Sequence, residues 1–305
     1  MKVLVAGASG AIGAPLIQRL VAAGHQTTGM ATKAEGIESL RKQGADAVLL
    51  NVLDAHRVRR EIERIRPNAI IDELTSLPRR YTPEEMRLAV PRDRQVRLEG
   101  GGNLLRAALS AGVSRYVVQS TGFFYGPGEG LASETEPLAH GASPGVAGAV
   151  DTYMRIEHRL FSGPMLEGVA LRYGFFYGPG TYYDPESGSI ADQVRASQYP
   201  LVGPGSGVYS FIHIEDAAAA TVAALECSPG VYNIVDDNPS AIAVWLPAFA
   251  RFIGAPDPPR VPAEETVRQY GPDAAYYALQ LRGASSAKAK TEFGFAPRPL
   301  EWLAG

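Results

Sequence analysis

Cysteine is almost missing from this chain: Cys227 stands alone among 305 residues. No intrachain disulfide can form, and a reducing compartment is the plain expectation. Lysine is scarce too. It occurs at positions 2, 33, 42, 288 and 290 only, so the stretch from 43 to 287 has none. Basic residues never run beyond a pair such as Arg79–Arg80, and the formal net charge is −3. That balance gives no footing for nucleic acid or an anionic membrane as partner, and a small molecule is expected instead. No apolar run approaches the roughly 20 residues that span a bilayer. Lys2 leads directly into the apolar run Val3–Ala6, which leaves no room for a signal peptide, and a cytoplasmic protein is expected. No grouping of His, Cys and Asp shows metal spacing, so no metal is expected.

What is present suits a globular α/β chain. Apolar residues make up 46% and charged residues 20%, enough for a substantial core. Hydrophobic patterning predicts strands over Lys2–Ala6, Gln26–Met30, Ala47–Asn51, Ala69–Ile71, Arg115–Gln119 and Gly168–Arg172. Helices alternate with them over Ala14–Ala23, Gly36–Gln43, from Asp54 to Arg66, along Pro83–Ala111, and over Val150–Phe161. This order implies a parallel sheet covered on both faces. After Tyr177 the rhythm breaks into Gly, Pro and Tyr around a candidate helix Ile190–Gln198. An extended piece Tyr209–Ile214, an Ala-rich helix Asp216–Leu225 and a strand Gly230–Val235 follow. Two or three helices among Pro-rich turns such as Ala255–Pro262 end the chain. The expected division is a main region over 1–177, completed by 211–236, with 178–210 and 237–305 forming a small C-terminal lobe.

The string GFFYGPG occurs twice, as Gly122–Gly128 and Gly174–Gly180. The flanks are unrelated (Gln119-Ser120-Thr121 before one, Leu171-Arg172-Tyr173 before the other), which argues against a duplicated domain. Both copies follow a predicted strand directly. In a parallel sheet such ends open at one edge, where ligands bind. The copies are therefore read as opposite walls of one cleft, with Phe123, Phe124, Tyr125, Phe176 and Tyr177, joined by Tyr209, facing substrate. The plainer alternative is a pair of turns that stop strands.

The segment Val5–Gly13 carries glycines at 7, 10 and 13 between a strand and a helix. Gly7 permits the tight turn, Gly10 lets backbone approach a pyrophosphate, and Gly13 lets helix and strand pack closely. The N–H groups of Ser9, Ala11 and Ile12 and the helix dipole then hold the anion. With this GxxGxxG spacing the chain resembles an extended, atypical short-chain dehydrogenase/reductase, of the group called NAD-dependent epimerase/dehydratase. Further matches run along nearly the whole length: Gly100–Leu105, Ser120-Thr121 before Tyr125-Gly126, Leu171-Arg172 before Tyr177–Gly180, Phe211–Asp216, and Ser286–Lys290. The resemblance implies a doubly wound Rossmann sheet with a small substrate lobe, a nicotinamide cofactor, and a homodimer formed through the helices near Pro83–Ala111 and Val150–Phe161.

An acidic residue about 20 residues after the loop would hold the ribose hydroxyl of NAD. The resemblance would place it at Ala31, while Thr32 and Lys33 beside it suit a 2′-phosphate. NADP is the expected cofactor and NAD the alternative. Asn51 stands where the family usually has an Asp beside the adenine. Val52 and Leu53 after the third strand, Leu74 and Thr75 after the fourth, and Gly174 and Phe175 are expected along the cofactor, because they sit at strand ends.

The family's chemistry uses Ser/Thr, Tyr and Lys. Thr121 matches the hydroxyl, but the Tyr-x-x-x-Lys pair is not there. One alignment uses Tyr153 with Glu157 at the Lys position. A second, anchored on Glu157 and its distance to Arg172, puts Ala149 at the Tyr position and Tyr153 at the Lys position. Without a neighbouring cation a phenol is a poor base at neutral pH, so an acid or polarising role suits Tyr153 better. Tyr-x-x-x-Glu also resembles progesterone 5β-reductase-like members, which reduce activated C=C bonds. Nucleotide-sugar enzymes of the family place an Arg at the position of Tyr209 and an Asn at that of Arg97, which argues against a nucleotide sugar. His213 is of a type that titrates near neutrality, yet the resemblance assigns it to a structural turn. His140 lies in the loop Glu134–Gly148, expected to cover the cleft. The expected activity is NADP(H)-dependent hydride transfer to or from an aromatic or alicyclic small molecule, by carbonyl or activated C=C reduction, with Thr121 and Tyr153 as the catalytic candidates. The alternatives are an epimerase, isomerase or lyase with tightly bound NAD(P), and a non-catalytic NADP-binding sensor or scaffold.

Overall fold

The computed structural model describes residues 1–163 and 166–304. Six strands come from the first two thirds: β1 (Lys2–Ala6), β2 (Gln26–Ala31), β3 (Asp46–Leu49), β4 (Ala69–Asp72), β5 (Arg115–Thr121) and β6 (Glu167–Tyr173). The short pieces β7 (Phe175–Tyr177), β8 (Leu201–Val202), β9 (Val208–Tyr209) and β10 (Phe211–His213) precede β11 (Gly230–Ile234). The main sheet runs β11-β6-β5-β4-β1-β2-β3, and every pairing in it is parallel. Strand order reverses at β1, which lies between β4 and β2. Ligands bind outside the carboxyl ends of strands at such a switch point.

Helices α1 (Gly13–Ala22), α2 (Ala34–Lys42), α3 (Ala55–Ile65), α4 (Pro83–Gln95), α5 (Gly101–Ser110) and α6 (Pro144–Phe161) accompany the sheet. The predicted helix Pro83–Ala111 is broken. Val96–Gly100 forms a π-helical turn between α4 and α5. The cause is packing: a Cβ at Gly100 would press into Val52, and one at Gly101 into Arg159 and Asp72. A window of three glycines lets the chain lie close there, and π-turns of this kind recur at functional sites. Helix α6 begins six residues before the predicted Val150, at Pro144. Two early N–H groups, of Gly145 and Val146, donate to the Asp273 carboxylate, a cap supplied from far along the chain. The loop that contains His140 is correspondingly shorter.

The lobe adds α7 (Ser189–Arg195), α8 (Ile214–Ala223), β12 (Ser240–Ala241), α9 (Ile242–Phe252), β13 (Arg260–Val261), α10 (Ala263–Tyr270), α11 (Pro272–Leu279) and α12 (Ala287–Phe293). Three pairings of two strands fasten it: β7 with β10, β9 with β12, and β8 with β13. The sheet has one core against α1 and α8 and another against α3 and α5. A third core is aromatic, built around Trp245, Phe249, Phe211, Tyr183 and Trp302. It draws on both sides of the expected division, since Tyr125 and Val150 insert into it as well. Strand β10 alternates between cores, with Phe211 in the aromatic one and Ile212 in the sheet's. No helix among the described residues is long and apolar enough to cross a membrane.

A buried polar network joins these parts. Arg172 on β6 donates to both carboxylate oxygens of Glu157 on α6, at 2.8 and 2.7 Å. Ser120 at the end of β5 donates to the same carboxylate at 2.6 Å. The third Arg172 nitrogen donates to the Tyr125 hydroxyl at 2.9 Å, which donates onward to Asn233 on β11 at 2.6 Å. Each member is satisfied by another, as a buried network requires. Arg172→Leu strands the Glu157 charge, and a loss of about 3–5 kcal/mol in unfolding free energy is expected. Urea denaturation of the variant against wild type measures it, and a loss below about 1 kcal/mol would show that the network carries little.

Candidate active site

The loop after β1 is a cradle that tolerates no side chain at Gly7 or Gly13. Gly7 has φ +80°, and a Cβ there would strike the Glu73 carbonyl. A Cβ at Gly13 would strike the Ala8 carbonyl in the same way. Successive tight turns, from Gly10 N–H to Gly7 O at 2.9 Å and Gly13 N–H to Gly10 O at 3.0 Å, wind the chain into α1. Ser9, Gly10 and Ala11 are exposed while Ala8 and Ile12 are buried. No side chain caps α1. Gly13 N–H is spent on Gly10 and Leu16 N–H on Ile12, and residue 15 is proline, so the N–H groups of Ala11, Ile12 and Ala14 are the ones left beside the open loop for a pyrophosphate. The residues fit a dinucleotide.

Thr32 and Lys33 are exposed where β2 ends, and Lys33 takes the N-cap position of α2. Asn51 spends its side-chain oxygen locally, accepting from Leu53 N–H at 3.1 Å. Val52 is buried, its carbonyl held by Asn103 at 2.9 Å. Leu74 is buried and Thr75 half-buried past the end of β4. Next to Gly7 lies Glu73, 3% exposed. It accepts from the Tyr173 hydroxyl at 2.9 Å, which in turn meets Thr221 at 2.7 Å. Its second carboxyl oxygen is buried without a partner among the described residues. Burial lifts this carboxyl to about 8, opposed by the Tyr173 hydrogen bond and helped by the Asp72 charge.

Thr121 closes β5, with its hydroxyl buried and unpartnered among the described residues. Such a buried orphan at the sheet's ligand edge is an exception among buried polar groups. Tyr153 on α6 packs against both the aromatic core and the core under α3 and α5. Its ring carries a cation after all: the Arg97 guanidinium stands 5.1 Å from the ring centre. Arg97 projects from the π-turn, pairs with Asp93 at 2.7 Å and donates to Gln119 at 3.2 Å. Burial raises the Tyr153 phenol above its ordinary value, the Arg97 charge opposes this, and Asp93 adds to it. Glu157, the residue at the Lys position in the first alignment, is tied to Arg172.

The two heptapeptides do not face each other across a gap. They touch. Phe123 and Phe175, the second residue of each copy, stack with ring centres 4.1 Å apart, and Phe175 stacks on Tyr209 at 4.6 Å. Three expected substrate contacts are corrected by burial. Tyr125 is fully buried in the Arg172 network. Tyr177 is fully buried against Trp302 and His213. Tyr209 is sandwiched near Trp245. Phe124 is buried too, while Phe176 turns to Tyr173 in the sheet's core. Gly174 sits where a Cβ would meet the Ser210 carbonyl. Phe123 and Phe175 stay half-buried, and other half-buried rings join their surface: Tyr81, Tyr153, Tyr182, Tyr199 and Tyr277. His213 caps α8, its Nδ1 accepting from Glu215 N–H at 3.1 Å, and is structural. His140 is exposed beside a surface depression with Met154 and His158.

Residues 3–234 match the sequence family described as NAD dependent epimerase/dehydratase. This chain belongs to that family. It is an enzyme family of the extended short-chain dehydrogenase/reductase type. Over its full length the chain is 37% identical to a 3-diazoavenalumate denitrifying reductase of a Streptomyces species, covering 99% of that protein. A UDP-glucose 4-epimerase of Thermotoga maritima, solved with UDP-glucose, has the same fold, with TM-score 0.76 at 21% identity over 99% of this chain and 95% of that one. A Thermus thermophilus UDP-glucose 4-epimerase in complex with NAD gives TM-score 0.72 at 26% identity over 98% and 94%. Within the NAD dependent epimerase/dehydratase family, the Glu157–Arg172 pair is the anchor of the second alignment. That register leaves Ala149 at the Tyr position and Tyr153 at the Lys position.

Tyr81, Tyr277 and Glu73 were not legible as site residues. Tyr81 lies on a strap without periodicity, and Tyr277 arrives from α11 by folding alone. Glu73 carried a signal, a carboxylate directly after a buried strand. Its raised pKa means the folded state binds the proton more tightly, so this contribution to stability is full below about 4.5, the reference value, and is lost as pH rises through about 8. Glu73→Gln cannot ionise. The melting-temperature difference between this variant and wild type is expected to shift in the variant's favour from pH 5 to pH 9, and a difference independent of pH would overturn the assignment.

Proposed function

We propose that this enzyme is an NADPH-dependent reductase of electrophilic aromatic compounds, with an arenediazonium ion as the substrate class. One observation carries the reading. Neither alignment of α6 supplies a lysine beside a tyrosine, and the carboxylate of Glu157 is held by Arg172, so the usual device for moving a proton is missing. Carbonyl reduction needs that proton, because hydride addition leaves an alkoxide. An acceptor that is already cationic does not. A diazonium group that takes up hydride on its terminal nitrogen becomes a neutral diazene, and as the C–N bond breaks and dinitrogen leaves, the N–H hydrogen is transferred to the ring carbon, with no net proton taken up. The sum is RN2+ + NADPH → RH + N2 + NADP+, which balances without a proton. The name of the Streptomyces relative, a denitrifying reductase of a diazo compound, supports the same chemistry.

Gly7, Gly10, Gly13 and the open N-terminus of α1 would hold the pyrophosphate, and Thr32 with Lys33 the 2′-phosphate. When bound, the dinucleotide supplies hydride. The Thr121 hydroxyl orients the substrate, and the neutral Tyr153 phenol offers it a hydrogen bond. Phe123 and Phe175 present a flat apolar wall. A nucleotide sugar is disfavoured, since Tyr209 is packed among rings where a diphosphate would need a cation.

Lys33→Ala is expected to weaken NADPH about tenfold and leave NADH unchanged, read by fluorescence titration. Equal weakening of both would remove the assignment of NADP. With benzenediazonium as substrate, one NADPH is expected to be consumed per N2 released. Tyr153→Phe is expected to keep kcat within about tenfold of wild type, because no proton passes through it. A loss of about 100-fold or more is what removing a general acid produces, and it would return the enzyme to carbonyl chemistry. Product formed without NADPH consumption would favour an isomerase or lyase.

A further inference from the structure

A strap between β4 and α4 carries Tyr81 over the lobe. Its backbone is pinned to α7, with Tyr81 N–H donating to Ser189 at 2.9 Å and the Tyr81 carbonyl accepting from Gln193 at 2.7 Å. The Tyr182 hydroxyl donates to the Pro78 carbonyl at 2.5 Å. The Tyr81 and Tyr182 rings lie 5.3 Å apart, tilted by 59°. The Tyr81 phenol is near those of Tyr199 and Tyr182, and Tyr277 is near Tyr81 and Tyr153. All five rings are half-buried. Burial holds these phenols above their ordinary range, so the surface is lined by neutral rings and contains no phenolate.

Neutral phenol faces attract cations, and the chain uses them so elsewhere. Arg97 stands over Tyr153, Arg172 over Tyr125 and Lys288 over Tyr232. Among the described residues, Tyr81, Tyr182, Tyr199 and Tyr277 have no such cation. The edge of the cluster is acidic. Asp93 and Glu85 both act on Tyr182, and Arg97 already pairs with Asp93. Glu85, in the first turn of α4, has one carboxyl oxygen buried without a partner among the described residues. A neutral aromatic cluster with one unpaired carboxylate oxygen complements positive charge.

Resting on the reductase reading, we infer that Tyr81, Tyr182 and Tyr277, with Glu85, form the specificity site that selects a positively charged aromatic substrate over a neutral one of the same shape. The substrate's ring packs against Phe123 and the edge of Phe175, whose two faces are taken by Phe123 and Tyr209, while its cationic group meets the tyrosine faces. The strap closes the site because its own tyrosine is part of the recognition surface.

The test uses two isosteres on the full chain saturated with NADPH: 4-(trimethylammonio)benzoate and 4-tert-butylbenzoate. They share shape and carboxylate and differ in charge. Calorimetric titration is expected to show the cation bound roughly tenfold more tightly, within the range such contacts give. Tyr182→Leu and Tyr277→Leu are expected to reduce that preference to less than about threefold, and Tyr182→Phe to keep most of it. Glu85→Gln is expected to lower it without abolishing it. Equal affinity for the two isosteres, tighter binding of the neutral one, or binding of neither overturns the inference, provided NADPH titration shows the variants folded. Failure is separable from failure of the reductase reading. Cation preference without N2 release sinks only the reaction, and N2 release without cation preference sinks only the specificity site.

Discussion

The bidentate pair between Glu157 and Arg172 fixes the placement of α6, and much of the chemistry follows from that placement. A helix docked by a buried ion pair cannot rotate or slide by a residue without stranding a charge. Ser120 and Tyr125 close the same network from β5 and from the first heptapeptide. The register therefore puts Tyr153 against Arg97 and half-buried Ala149 one turn earlier. The cation expected on α6 stands instead on the π-turn, facing the ring rather than an ionisable partner. It is neutralised there by Asp93. An uninterrupted α-helix through Val96–Gly100 would carry Arg97 to a different azimuth, so this contact depends on the turn.

Much of the Rossmann half was legible because its signals are local. Buried strands of four to seven residues and helices closed by Gly24 or Gly44 follow from periodicity and from glycines that adopt positive φ. The π-turn was not legible, since helical propensity runs through it and only its packing on Val52 and Arg159 distinguishes it. The start of α6 was hidden by Gly145 and Gly148, which read as loop, whereas Asp273, 128 residues beyond Gly145, caps the helix at Gly145 and Val146. The glycine cradle was legible from its spacing between strand and helix, although only the demand at Gly13 is set by a sequence neighbour, Ala8, and that at Gly7 is set by the distant Glu73.

The aromatic residues show where sequence reading stops. Two identical heptapeptides at two strand ends do converge on one place, as the parallel sheet requires. Which of their rings face solvent depends on partners that sequence does not reveal. Asn233 and Arg172 claim Tyr125, and Pro299 and Trp302 claim Tyr177. The second position of each copy is left half-buried, and those two phenylalanines stack on each other, while the half-buried Phe176 turns to Tyr173. The repeat thus builds one wall from two strand ends.

The scarcity of lysine acquires a physical sense in this setting. A lysine at the position of Tyr153 would lower the pKa of a neighbouring phenol and would also fix a positive charge in the cleft. For a carbonyl substrate both effects help. For a cationic substrate the first is unnecessary and the second is repulsive, increasingly so in a site partly screened from water. The arginines near the cleft are paired: Arg97 with Asp93, and Arg172 with Glu157. Neutral phenols, a paired guanidinium and the unpaired Glu85 oxygen then act in one direction. On the proposed reading, the same substitutions that remove the family's lysine leave a tyrosine surface whose electrostatics would suit an electrophile carrying its own charge. Loss of the catalytic pair and gain of the tyrosine surface are in this view one adaptation, in which the substrate supplies the activation that the enzyme no longer provides.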